Sequence, residues 1–249
     1  MNRRNNIKLS KRLEELVSFT EKTARLKSLV SVVDVGCDHA LVPIALLLNG
    51  TIKKAIGMDV GTGPLEAAMD NVKKYSLSSR LELRQSDGLA ALKKNEAQIC
   101  IISGMGGLTI RKILTESSPK ALNIEYLILS PQSSISSLRR QLRESGCEID
   151  EEKLVYESGK YYPVLGVKVG GDFSLSYNVV ADRLMKKNDI TKEEVLEICD
   201  IYGAVSLNSN DETVCSYLIK KKEDYEKIEF KNEQVMKEIR YLNAAINLF

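Results

Sequence analysis

Ser31-Val32-Val33-Asp34-Val35-Gly36-Cys37-Asp38-His39 is the stretch that decides the fold of this chain. Its first five residues are short, β-branched and mostly apolar, the composition of a buried strand. Gly36 lets the backbone turn where a side chain would block a ligand. Residues 40–48 then read as a helix ended by Asn49-Gly50. Three further signals recur at the spacing of successive strand ends: Asp59, Asp87-Gly88 and Gly104-Met105-Gly106-Gly107. Together the four signals predict one ligand lying across the carboxyl ends of a parallel sheet.

Working outward, residues 54–59, 81–84, 98–102 and 126–129 predict four more strands, and 148–156 and 162–169 a strand pair around Ser158-Gly159. Residues 8–17 predict a basic amphipathic helix with Leu9, Leu13, Leu16 and Val17 on one face. The Gly61-Thr62-Gly63-Pro64 turn opens another helix, with Thr62 or Gly63 as its cap. Residues 108–114 and 138–144 read as two more. Alternating βα units followed by a strand pair predict a doubly wound, Rossmann-like α/β sheet with an antiparallel edge. At Gly170-Gly171 the pattern changes, which divides the chain into residues 1–171 and a helical unit, 172–249. Val214, Leu218, Tyr225, Ile228, Val235, Ile239, Leu242 and Ile246 keep three-and-four spacing with no Gly or Pro from 211 to 249, a coiled-coil pattern.

The formal charge of +2 is nearly balanced, so no global field announces a polyanionic partner. Its distribution is uneven: residues 1–27 hold eight Lys and Arg against three Glu. The five cysteines are scattered without a CxxC pair, which predicts reduced thiols of a cytoplasmic protein and no zinc site. Residues 1–10 are polar, and no apolar run has the length of a membrane span.

The chemistry falls to a few acidic loops. Asp34 either orients the glycine turn or meets a cationic ligand group. Asp59 ends the second strand, where a carboxylate can accept both hydroxyls of a ribose. Asp87, with Gly88 beside it, stands where an acidic side chain can take the exocyclic amine of an adenine. Gly104 and Met105 open a turn with little bulk, leaving room for a cofactor and a substrate to meet. The fingerprint G-x-G-x-x-G is absent, and Asp38 would repel a pyrophosphate. A cofactor with a ribose and an adenine but no phosphate fits better, and S-adenosylmethionine (SAM), with its sulfonium and ammonium charges, suits acidic loops. His39, the sole histidine, either caps the helix entry or faces the pocket.

Over nearly its whole length the chain resembles the bacterial tRNA (adenine-22-N1)-methyltransferases. The resemblance is carried by Leu9-Ser10-Lys11-Arg12-Leu13, by Asp34 through Ala40 with Pro43, and by Asp59 with Gly63-Pro64. It continues in Asp87-Gly88-Leu89, in Gly104 through Gly107, and in Gly159-Lys160 with Tyr162. It implies a class I SAM-dependent methyltransferase domain, a small coiled-coil domain, and methylation of an adenine N1 in the tRNA D-arm. Asp34, Gly36, Asp59, Asp87, Gly88, Gly104 and Met105 would serve the cofactor. Asp38 and His39 would serve the reacting base. Lys8, Lys11 and Arg12 would grip the tRNA backbone, and Pro131, Gln132, Lys160 and Tyr162 would line the substrate side. Cys37 stands where the family has serine, and Ser130-Pro131-Gln132 where it has Gln-Pro-Asn. No metal, no membrane and a monomer are expected. Two other readings remain open at this point: a class I methyltransferase acting on another RNA, a protein or a small molecule, and a non-catalytic SAM-sensing RNA-binding protein.

Overall fold

The computed structural model describes residues 7–249; of the basic N-terminal residues, Arg3 and Arg4 lie outside this range. Seven strands form one sheet: β1 (Ser31–Val35), β2 (Lys54–Asp59), β3 (Leu81–Gln85), β4 (Ile99–Ser103), β5 (Tyr126–Ser130), β6 (Cys147–Glu157) and β7 (Lys160–Val169). Their order is β3-β2-β1-β4-β5-β7-β6. The first five run parallel, and β7 and β6 add an antiparallel edge. All five residues of β1 and of β5 are buried. Side chains alternate between two cores, as period-2 geometry demands. Val32, Ile99, Ile101 and Ile128 enter one, with Leu16 and Ile44; Val33, Val35, Cys100, Ile102 and Leu129 enter the other, with Ile110 and Leu138.

Around the sheet lie α1 (Lys11–Lys27), α2 (Leu41–Leu48), α3 (Thr62–Lys74), α4 (Gly107–Glu116) and α5 (Ile135–Glu144). α2, which follows β1, packs into the first core, and α4, which follows β4, into the second. Since β1 and β4 are neighbours, their following loops part in opposite directions and leave a crevice at the carboxyl ends of the two strands.

The helix starts differ from the sequence expectation. α1 begins at Lys11, because the Ser10 side chain accepts the Leu13 N–H and stops the helix there. Lys8 is therefore outside the helix and exposed. The helix runs on to Lys27, since Phe19, Thr20, Thr23 and Ala24 extend its buried face, and Ser28 closes it in the left-handed region. Gly61, not Thr62 or Gly63, caps α3.

The C-terminal residues form α6 (Ser174–Lys187), α7 (Lys192–Tyr202), α8 (Ala204–Asn208), α9 (Glu212–Glu226) and α10 (Glu233–Ile246), with an apolar core of their own. Residues 211–249, read as a coiled-coil pattern, form two helices. Asn232 is extended and its side chain accepts the Val235 N–H at 2.9 Å, so α10 starts afresh and packs back on α9. Val214, Leu218 and Leu242 meet in the core while Ile228 is exposed at the turn, a helical hairpin and not one continuous seam.

An ion cluster joins these helices to the sheet. Arg139 of α5 donates from Nε to Glu152 of β6 at 2.8 Å and from Nη1 to the carbonyls of Asp200 and Ile201 at 3.1 and 2.8 Å. Glu152 in turn accepts the Ser206 N–H at 3.0 Å, and Arg140 and Arg143 both reach Asp200. Gly203 lies against Glu152 so closely that a β-carbon there would collide with the carboxylate.

Candidate functional site

The crevice between the β1 and β4 loops is a cleft of about 460 Å³. Its floor is Gly36 and Gly104, both with positive φ, +72° and +78°. The β1 loop is pinned to β2, for the N–H groups of Gly36 and Cys37 both donate to the Met58 carbonyl. A β-carbon on Gly36 would collide with the Met105 methyl, so the glycine also makes room for that side chain. Over Gly104 the nearest atom a β-carbon would meet is Arg12 Nη1, at 3.9 Å. Gly106 and Gly107 serve packing, because β-carbons there would press on Ser133 and Ser134 of the β5–α5 loop.

Asp59 ties the walls together. One carboxylate oxygen accepts the Asp38 N–H at 3.3 Å and the other the Gly61 N–H at 3.0 Å. Asp38 and Ala40 sit in the left-handed region, at φ 47° and 54°, a strained pair of non-glycine residues that holds the loop around His39. Asp38 and His39 are exposed at the rim, their side chains 3.7 Å apart. Asp34 is only 4% exposed. Burial, reinforced by the charge of Asp59, pushes its carboxyl up to about 7. Burial and the same carboxylates raise the Cys37 thiol, and burial with Asp34 raises that of Cys100, so neither is a nucleophile near neutral pH.

Of the residues singled out in the sequence, Arg12, Asp34, Gly36, Asp38, His39, Asp59, Gly104, Met105 and Gln132 line the cleft. Asp87 is exposed and outside the lining, although the neighbouring Ser86 N–H donates to the Asp59 carbonyl. Gly88 is buried away from the cleft, held against Ile113 at φ +56°. Pro131 is buried too, which leaves Gln132 as the exposed member of that pair; its N–H donates to Met105. Lys160 and Tyr162 lie on the β6–β7 hairpin, Tyr162 beneath the Arg12 guanidinium at 5.3 Å. Lys11 docks on the same hairpin through its N–H to Glu157 at 2.7 Å, which brings Lys11 and Lys160 to one rim. Sequence reasoning missed Val60, an apolar side chain 68% exposed directly after Asp59. The signal was a valine placed in a turn, where no core can use it. Among the described residues no cluster of His, Cys, Asp and Glu could hold a metal, and no helix is long and apolar enough to cross a membrane.

A methyltransferase-domain family model matches residues 9–165. The chain is 34% identical over 177 residues to the tRNA (adenine(22)-N(1))-methyltransferase of Bacillus subtilis strain 168, covering 71% of each protein. It belongs to that methyltransferase family. Two solved structures agree with the assignment. The B. subtilis M1A22 tRNA methyltransferase TrmK superposes with TM-score 0.74 at 25% identity, over 98% of this chain and 97% of that one. Streptococcus pneumoniae Sp1610 in complex with S-adenosyl-L-methionine superposes with TM-score 0.78 at 28% identity, over 96% and 100%. The coverage of both extends past the sheet of this methyltransferase into its C-terminal helices.

Proposed function

We propose that the chain transfers a methyl group from SAM to N1 of adenine 22 in tRNA. One observation carries this reading: in a member of this family, the switch-point cleft sets Asp34, Asp38, Asp59 and Arg12 around a glycine floor, a charge set that suits a dicationic ligand bearing one carboxylate. When bound, SAM supplies a methyl group on a sulfonium, which passes to the base nitrogen as a neutral thioether departs.

The residues of the chain do the rest. Each Asp59 oxygen already accepts one backbone N–H and keeps a lone pair for a ribose hydroxyl. Val60 offers an apolar face to an adenine beside it. At the rim, Asp38 or His39 accepts the exocyclic N–H of the target base and fixes its orientation. The N1 lone pair needs no proton removed before it attacks, so positioning and exclusion of water dominate. Positive charge builds on the base as the methyl arrives, and the carboxylate of Asp38 favours it. N1 lies on the pairing edge of the base, which must leave its stack to reach the cleft. The phosphates of the RNA are gripped by Lys8, Lys11 and Lys160 at the exposed rim. The reading takes a single chain as the working unit and the cytoplasm, where tRNA is modified, as the place of action.

The test is incubation with labelled SAM and two unmodified tRNA transcripts, one with adenine and one with guanine at position 22. Label confined to the adenine transcript, mapped to its position 22, is the expected result. Label on other RNA or on protein would move the substrate elsewhere, and SAM binding without turnover would make the chain a sensor.

A further inference from the structure

The β6–β7 hairpin overshoots the rest of the sheet. β7 pairs with β5 as far as Leu129↔Leu165, and β5 ends one residue later at Ser130. Residues 160–163 of β7 and their partners 154–157 of β6 therefore continue alone, rising about 14 Å past the end of β5 on the side where the cleft opens. Successive side chains along β7 face opposite ways. Tyr162 turns to the cleft side, under Arg12. Tyr161 turns the other way, toward α9.

Three tyrosines stack there. The rings of Tyr156 and Tyr161, cross-strand partners, lie 4.7 Å apart between centroids, and Tyr161 lies 5.1 Å from Tyr217 of α9. Lys220 sits over Tyr161 at 5.9 Å and Lys221 over Tyr217 at 5.8 Å. Tyr161 and Tyr217 are half-buried, which the packing of α9 on the hairpin explains. Packing does not explain Tyr156. It is 47% exposed, belongs to none of the apolar cores, and its hydroxyl has no hydrogen-bond partner among the described residues. Glu157, the carboxylate beside it, accepts the Lys11 N–H, while Lys160 and Lys220 are exposed. A flat ring at the open end of a stack, backed by two more rings and flanked by lysines, fits one further flat partner next to an anionic chain.

An RNA strand is that partner. With its phosphates on Lys11 and Lys160 it passes the hairpin tip, and an adenine that leaves its stack uncovers the faces of its neighbours. Every base has a π-face, so a tyrosine can take one without reading its identity. We infer that Tyr156 is a stacking platform for an unpaired base of the RNA strand that carries the reacting adenine, a role that rests on the tRNA reading of the cleft. Tyr161 and Tyr217 are positioning residues, which hold the Tyr156 ring in place through the stack. The platform lies outside the cofactor cleft, on the opposite face of the hairpin from Tyr162.

The chain has no tryptophan, so Tyr156→Trp installs a single emitter on the platform. Titration of this variant with an unmodified tRNA transcript should quench its emission, with a midpoint at the Kd for tRNA. Tyr156→Ala should raise that Kd by about 5- to 100-fold. The slope of log affinity against log salt should stay as in the wild type, because stacking releases no counterion. Tyr156→Phe, which keeps the ring, should stay within about twofold of the wild type, whereas Tyr156→Leu, apolar but not flat, should behave as the alanine variant does. Emission unchanged at saturating tRNA would overturn the platform, and this readout stands even if the alanine variant is unstable. A lowered Tm in Tyr156→Ala with tRNA affinity intact would overturn it too, leaving the ring a packing element, while the methylation reading stands. A wild-type chain that neither binds nor methylates the transcript would overturn the tRNA reading itself, and this assignment with it.

Discussion

Replacing Asp34 with asparagine should remove a pH-dependent weakness built into the first strand. The Asp34 carboxyl is 4% exposed and is pushed from 3.8 up to about 7, first by burial and then by Asp59. The thiols of Cys37 and Cys100 also face it but stay neutral, so they do not relieve the charge. In the unfolded chain Asp34 releases its proton near pH 3.8, whereas the folded chain holds it until about pH 7. Between those values the folded state binds the extra proton, so stability falls as pH rises. The contribution is fully present below pH 3.8 and is lost by the time pH passes about 7. Each pH unit is worth about 1.4 kcal/mol, so the whole span amounts to roughly 4 kcal/mol, of which about 3 kcal/mol disappears between pH 5 and pH 8. For a chain of this size that is roughly 6–12 °C of melting temperature. Asp34→Asn has no such proton, so the gap between variant and wild type should widen by that amount from pH 5 to pH 8, read by differential scanning calorimetry. A cationic ligand favours the ionised carboxyl, so wild-type SAM affinity should climb by up to about tenfold per unit below pH 7, with Asp34→Asn flat. Parallel melting profiles for the two proteins would refute the reasoning, because they would mean that Asp34 ionises as an exposed aspartate does.

Asp38→Asn keeps the shape of the rim but removes the carboxylate, so kcat should drop by about 10- to 100-fold with SAM affinity little changed, measured in single-turnover assays at saturating tRNA. Glu152→Leu strands the buried Arg139 guanidinium and should cost about 3–5 kcal/mol in denaturant unfolding, whereas Arg139→Met combined with Glu152→Leu should cost less than either alone. Lys8→Ala with Lys11→Ala should weaken tRNA binding and lower the slope of log affinity against log salt by about 2, leaving SAM titrations unchanged.

The strand ends were legible because their residues act locally. A β-branched run followed by glycine has one use in a parallel sheet, and Asp59, Gly36 and Gly104 fell where that pattern put them. Arg12 read as one more base in a basic segment, since nothing nearby in sequence says that Glu157 and Tyr162 will turn its helix inward. Gly88 looked like its neighbours at the other strand ends, yet its glycine is demanded by Ile113 of a later helix. The elevated Asp34 carboxyl likewise depends first on its burial in the assembled sheet and then on Asp59, a strand away. The break between α9 and α10 did have a local signal, for Asn232 interrupts the apolar spacing and Glu233 follows it, but the absence of Gly and Pro from 211 to 249 masked it. Where a residue answers to partners far along the chain, the sequence alone names the residue type and stays silent on its use.

The junction at Glu152 also sets an order of events during synthesis. The last strand of the sheet ends at Val169, but Arg139 and Glu152 draw on the carbonyls of Asp200 and Ile201 and on the Ser206 N–H, all of which leave the ribosome later. Until then the arginine and glutamate have only each other, at the edge of a half-covered apolar face. When α7 and α8 arrive, the backbone at Gly203 must slide in against the glutamate with no β-carbon in the way, a fit that closes like a latch. A latch of this kind ties the fates of the parts it joins. Sheet and C-terminal helices should melt in one cooperative transition, and a fragment stopped after the sheet would be a different molecule, left with an arginine and a glutamate that lack their partners.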